Sequence, residues 1–226
     1  MATVAMTAYR STIGRKAVMA LSGLMLFGFV VVHMIGNLKI FTGAIHFDEY
    51  AEGLRGFGKP FFAEEQFLWV ARAGLLAAVL AHIASAASLT RTSHAARPVS
   101  YVVHKRTTSS YASRTMRWGG VIIALFIVYH LLHFTTGQAH QDFRRGEVYH
   151  NVISGFEVWY VSAFYILANL ALGLHLFHGL WSMFQTLGWG SGRFSKGVRA
   201  FSVLAAVAIT IGNISIPIAV LTGVLD

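Results

Sequence analysis

Residues 158–185 read VWYVSAFYILANLALGLHLFHGLWSMFQ: 28 consecutive positions without Asp, Glu, Lys or Arg, and with two histidines in the second half. As a helix this stretch extends about 42 Å at 1.5 Å per residue, enough to cross the roughly 30 Å of hydrocarbon in a bilayer. Four more apolar blocks of comparable length occur, at about 17–41, 67–90, 118–136 and 200–225. The pattern predicts an all-α membrane protein with five transmembrane helices, forming a single domain over residues 1–226.

Charge supports these boundaries. The chain is 55% hydrophobic and only 12% charged, where a soluble domain carries about 25% charged residues. Of its 27 charged side chains, 25 lie outside the five blocks. The exceptions, Lys39 and Arg72, fall near block ends, where a long side chain can reach the interface. The first block is too long for a signal peptide and has no small-residue cleavage site after it.

The net charge of +9 is distributed as a topology signal rather than as a nucleic-acid patch. The N-terminal tail carries +3, the second loop +6 and the fourth loop +3, whereas the first loop carries −3 and the third −1. Positive loops remain in the cytoplasm, which places the N-terminus inside and Asp226 outside. The basic second loop, about 91–117, is read as lying along the cytoplasmic surface, against headgroups or a docked partner.

Each of the first four blocks contains a histidine placed well inside it: His33, His82, His130 and His175. Ionisable residues inside a membrane segment are costly and mark functional sites. Alternating helix direction puts His33 and His130 toward the outer half and His82 and His175 toward the inner half. The two levels differ by roughly 10–15 Å at 1.5 Å per residue. Two imidazoles at one level suit the two axial positions of a low-spin haem, so the first four helices are read as a haem-binding bundle carrying two haems, with the fifth helix flanking it. The competing reading makes each histidine a hydrogen-bonding residue between helices. Zinc fits less well, because each level offers two imidazoles and no carboxylate. The absence of cysteine excludes thiolate-ligated iron–sulfur clusters and thiol nucleophiles.

His133 and His178 follow proposed ligands by three residues and share their helical faces. They are alternative ligands, or partners of haem propionates or of a quinone. His46, His94, His104, His140 and His150 are read as surface residues. Small residues (Gly23, Gly28, Gly36, Gly120, Gly173 and Gly179 among them) serve close helix packing or make room for a flat cofactor.

The segment Leu174-His175-Leu176-Phe177-His178-Gly179-Leu180-Trp181-Ser182 resembles the histidine-plus-GLW signature of the membrane cytochrome b subunit of succinate dehydrogenase and fumarate reductase. Gly23 to Gly36 with His33, Gly58-Lys59-Pro60, Ala81-His82 and Tyr129-His130 follow in the family's order. The resemblance is to the five-helix, di-haem type. It implies two haems b, with His82 and His175 ligating the one nearest the iron–sulfur subunit and His33 and His130 the distal one. It further implies a flavoprotein and an iron–sulfur protein as partners, membrane quinone (commonly menaquinone in di-haem members) as substrate, a bacterial cytoplasmic membrane, and a place in the respiratory chain and tricarboxylic acid cycle. A higher oligomer of the complex is compatible with it. Some members carry a glutamate two residues before the fourth-block ligand; here that position is Gly173.

For the quinone, the cytoplasmic rim offers Ser11, Arg15 and Lys16, and Ser113, Arg114 and Arg117. The Ser11–Arg15 spacing is similar to that of quinone-site residues in other members. The same residues also serve as positive-inside anchors or propionate partners. The outer rim offers Lys39, Glu49, Glu52, Glu64, Glu65 and Gln138. Two other classes compete: another bis-histidine cytochrome b of the hydrogenase or formate dehydrogenase type, and a haem-free anchor or transporter. No nucleophile–base set, phosphate loop or dinucleotide fingerprint is present.

Overall fold

The computed structural model describes residues 11–96, 111–189 and 192–226, with backbone alone for 111–114 and 193. These residues form seven α-helices and no strand. The helices are α1 (Thr12–Asn37), α2 (Ala44–Arg55), α3 (Gln66–Ala95), α4 (Tyr111–His130), α5 (Val148–Glu157), α6 (Trp159–Thr186) and α7 (Ser195–Leu221). Five of them, α1, α3, α4, α6 and α7, are long and apolar enough to span a membrane, in agreement with the five spans expected.

The ends of these helices have local causes. Ser11 accepts from the Gly14 N–H at 2.9 Å and caps α1. The far end of α1 tightens into a 3₁₀ turn, Leu38–Thr42, and Gly43 at φ 96° reverses the chain into α2. α4 passes after His130 into a π-helical turn, Leu131–Thr135, a local widening that re-aims side chains. Val158, in an extended conformation, separates α5 from α6, and the Ser162 hydroxyl donates to the Phe156 carbonyl across that corner at 2.6 Å.

Two loops that the sequence pattern leaves irregular therefore contain helices. α2 and α5 are too short to span a bilayer, and they pack against each other as a cap over one end of the bundle. The Asp48 carboxylate on α2 accepts the Tyr149 N–H on α5 at 2.8 Å, and the Tyr149 hydroxyl donates to the Asp226 carbonyl at 3.1 Å. Beneath this cap lies the largest cluster of buried apolar residues among those described, including Ile40, Phe47, Ile153, Phe156, Tyr165 and Ile216. The second loop is also shorter than its composition predicts, because α3 continues to Ala95 and α4 begins at Tyr111.

The spanning helices pack in pairs. α1 lies along α3, α4 along α6, and α6 along α7. α3 makes no extended contact with α4 or α6, nor α1 with α4, and the halves meet where α1 touches α6 and α7. Only 6% of the most apolar stretch of α3, and 6% of that of α4, is buried, against 39% for α6. The result is one helix pair, α1–α3, facing a group of three, α4–α6–α7, across an opening where α3 makes no extended contact with α4 or α6.

Candidate functional site: two histidine pairs between the helix halves

All four predicted ligands face this opening, paired as their depths predict. The rings of His82 on α3 and His175 on α6 have centroids 6.3 Å apart. Those of His33 on α1 and His130 on α4 are 5.7 Å apart. Two imidazole nitrogens on opposite sides of one metal, at about 2.0–2.1 Å each, would stand about 4 Å apart and, with a ring radius added on either side, their centroids roughly 6 Å apart. Both pairs have that separation. No cluster of three or more His, Asp or Glu suited to a metal occurs among the described residues. Among the described residues each pair thus supplies two imidazole donors, and a metal held there would take its remaining ligands from a group that brings them along.

The hydrogen bonds of His82 decide which ring nitrogen is available. Its Nδ1 lies 3.1 Å from the Met19 carbonyl oxygen, which can only accept. Ser22 Oγ, at 3.3 Å from the same nitrogen, already donates to the Val18 carbonyl at 2.7 Å and is left as an acceptor. Nδ1 therefore carries the proton, and Nε2 keeps a free lone pair. This is the arrangement metal-ligating histidines use, with the outer nitrogen tied to a carbonyl or carboxylate. The Nδ1 of His175 is buried without a normal hydrogen bond among the described residues, with the Met116 backbone as the polar group placed toward it.

Two glycines make room for these rings. A Cβ on Gly23 would lie 3.2 Å from His82 Cε1, and one on Gly120 would lie 3.6 Å from His175 Cε1. The matched placement of one histidine in each of the first four spans extends to a finer repeat in the sequence. Met19, Gly23 and His33 on α1 recur as Met116, Gly120 and His130 on α4, each shifted by 97 positions. His82 recurs as His175, shifted by 93. The α1–α3 pair thus corresponds to the α4–α6 pair, and each histidine pair joins equivalent positions across the opening. The shared Met-x₃-Gly-x₉-His spacing is the sequence signal that would have found the glycines.

The remaining candidates divide. His133 is 2% exposed; its Nδ1 lies 3.0 Å from the Tyr165 hydroxyl, and its ring stacks on those of Tyr129 and His140. His178 is half-buried on α6. Arg15 donates through one guanidinium nitrogen to Ser88 Oγ and Thr92 Oγ1, both at 2.9 Å, joining α1 to α3. Ser11 caps α1, so both members of the Ser11–Arg15 spacing have structural partners. Lys16 lies on another face of α1, beside a cavity of about 370 Å³ lined by Ile13, Met19, Ser182, Gln185 and Thr186. The side chains of Ser113 and Arg114 lie outside the described residues. On the outer rim, Glu49 pairs with His46, Glu52 and Glu65 with Arg55, and Glu64 with Lys59, all on the surface.

Two histidines depart from the surface reading. His140 is half-buried: its Nε2 donates to the Asn151 carbonyl at 2.8 Å, and its Nδ1 accepts the Asp142 N–H at 3.1 Å. The helical cap, absent from the sequence reading, supplies that burial. His150 donates to the Asp142 carboxylate at 2.8 Å. His46 is exposed, His94 lies against Arg117, and His104 is outside the described residues.

Residues 90–214 match the family model for the succinate dehydrogenase/fumarate reductase transmembrane subunit. The chain belongs to this family. No curated protein and no solved structure matches it. As a succinate dehydrogenase/fumarate reductase transmembrane subunit, the chain carries His130 and His175 inside the matched stretch. His33 and His82 precede that stretch and join the site through the internal repeat. At Gly173, where some family members have glutamate, Thr210 of α7 packs so closely that any side chain would collide with its hydroxyl.

Proposed function

We propose that this subunit anchors a succinate dehydrogenase in a bacterial cytoplasmic membrane as one transmembrane unit, residues 1–226, and carries electrons between an iron–sulfur partner and membrane quinone. The observation that carries the reading is the pair of imidazole pairs, each at metal-bridging separation, in a bundle whose halves stand apart. His82 and His175 would hold one haem b, and His33 and His130 a second. Bound there, such groups supply one-electron oxidation and reduction with no open coordination position.

The chain's own residues have three tasks in this reading. Met19 and Ser22 fix the His82 tautomer so that Nε2 faces the opening. Gly23 and Gly120 admit the rings, and the exposed apolar faces of α3 and α4 keep water from the opening once lipid and partners surround them. The basic N-terminal and second-loop segments favour a cytoplasmic side for the N-terminus and the inner pair, where a flavoprotein and an iron–sulfur protein would dock. Quinone would bind at the edge of the same end, near Lys16 and the cavity between α1 and α6, with Ser113, Arg114 and His178 as further candidates. Menaquinone is the quinone that di-haem relatives lead one to expect.

The test is a reduced-minus-oxidised spectrum and haem assay on the purified complex. Two b-type haems per chain, with a succinate-oxidising flavoprotein co-purifying, are expected. A colourless intact complex would overturn the reading and favour a haem-free anchor.

A further inference from the structure

The inner and outer histidine pairs are held differently. At the inner pair, His82 donates to a backbone carbonyl. At the outer pair, the Tyr165 hydroxyl on α6 stands between two rings of α4, 3.4 Å from His130 Nδ1 and 3.0 Å from His133 Nδ1. Tyr165 is 4% exposed and His133 is 2% exposed, so both partners are shielded from bulk solvent.

A hydroxyl carries one hydrogen, so it can donate to only one of these nitrogens and must accept from the other. Two settings satisfy the chain. In one, His130 carries its proton on Nδ1 and donates to Tyr165, and Tyr165 donates to His133. In the other, every bond is reversed and the His130 proton sits on Nε2. Only the first leaves the His130 Nε2 lone pair free toward His33.

We propose that Tyr165 is the positioning residue of the outer pair, accepting the Nδ1 hydrogen of His130 and donating its own to His133, so that His130 presents Nε2 to the opening. This rests on reading His33 and His130 as axial ligands. The surroundings hold the relay in place. His133 stacks at 4.7 Å on His140, whose tautomer is set by the Asn151 carbonyl and the Asp142 N–H. Gly155 on α5 closes the far side, where a Cβ would lie 2.9 Å from His133 Cε1. The π turn after His130 brings His133 round to the hydroxyl.

The internal repeat shows that this is not a generic packing feature. The position equivalent to Tyr165 in the first half is Arg72, which lies over the Trp69 ring at 4.8 Å. The position equivalent to His133 is Gly36, packed against Tyr50. His33 has no hydrogen bond among the described residues and is faced by the Phe29 ring at 5.2 Å. One ligand of the outer pair is thus hydrogen-bonded and the other is not. A hydrogen bond accepted from Nδ1 makes an imidazole a stronger donor and favours the oxidised metal.

The experiment uses the intact complex carrying Tyr165→Phe, titrated stepwise with reductant and followed by absorption and by the low-spin ferric resonance. The outer component is defined as the one that His130→Ala abolishes. Tyr165→Phe should retain both haems, raise the midpoint of the outer component and leave the inner one in place. No movement, or equal movement of both, overturns the proposal. Should that variant fail to assemble, His133→Asn, which keeps an acceptor near Nδ1, should hold the outer midpoint near wild type, while His133→Leu raises it. Identical behaviour of those two overturns it equally. A wild-type complex without haem would defeat the axial-ligand reading itself, a distinct outcome that takes this proposal with it.

Discussion

The Met19 carbonyl oxygen lies 3.1 Å from His82 Nδ1, joining the first spanning helix to the second and leaving Nε2 of that ring as its unprotonated nitrogen. A backbone acceptor cannot be removed by substitution. The consequences are therefore tested through the rings and the space around them.

His82→Ala should remove one of two haems and leave the other, because the outer pair shares no residue with the inner one. Haem per chain should fall by half, and the surviving spectrum should match that of His175→Ala. Loss of both haems together, or of neither, contradicts the pairing.

Gly23→Leu should displace the His82 ring, since even a Cβ there comes to 3.2 Å from Cε1. Disturbing the groups that orient a metal ligand typically costs about 10–100-fold in affinity, so the inner haem should dissociate on dilution while the outer one is retained. Gly28→Leu is the control, because nothing lies within 4 Å of its Cβ position. Difference spectra across a dilution series check both.

Arg15→Ala removes two hydrogen bonds between α1 and α3. Interhelical polar contacts in membranes are worth about 0.6 kcal/mol on average and up to about 1.7 kcal/mol. A loss of about 1 kcal/mol is expected, read as a lower thermal midpoint of the detergent-solubilised complex. Arg15→Lys should recover part of it.

Asp142 gives the loop between α4 and α5 an acid-sensitive element. Desolvation is the largest single influence and raises its pKa, but the hydrogen bonds from His150 and Arg144 and the charges of both together outweigh it and hold the carboxyl below its ordinary value. A depressed carboxylate stabilises the fold above its unfolded pKa and loses that contribution as pH falls through the folded one. Thermal midpoints measured from about pH 6 to about pH 2 should therefore fall less steeply for Asp142→Asn than for the wild type. Parallel curves would rule the element out.

Much of this was legible in the chain as written. The absence of charge through residues 158–185 and four comparable blocks determines five crossings, because a bilayer admits only backbones that satisfy their own hydrogen bonds. The 1.5 Å rise of a helix then sorts four histidines into two levels. The caps α2 and α5 escaped that reading because amphipathic stretches of 12 and 10 residues look like solvated loop until a surface is present to receive them. His140 was misplaced for the same reason.

Tertiary structure alone decided what each imidazole is free to do. Which nitrogen of His82 carries the proton, that His133 is committed to Tyr165, and that Arg15 is held by Ser88 and Thr92 all depend on atoms tens of residues apart in the chain. Sequence periodicity places a side chain on a face and at a depth. Hydrogen bonds between faces are settled only when helices dock, since a shift of an ångström or two exchanges one acceptor for another.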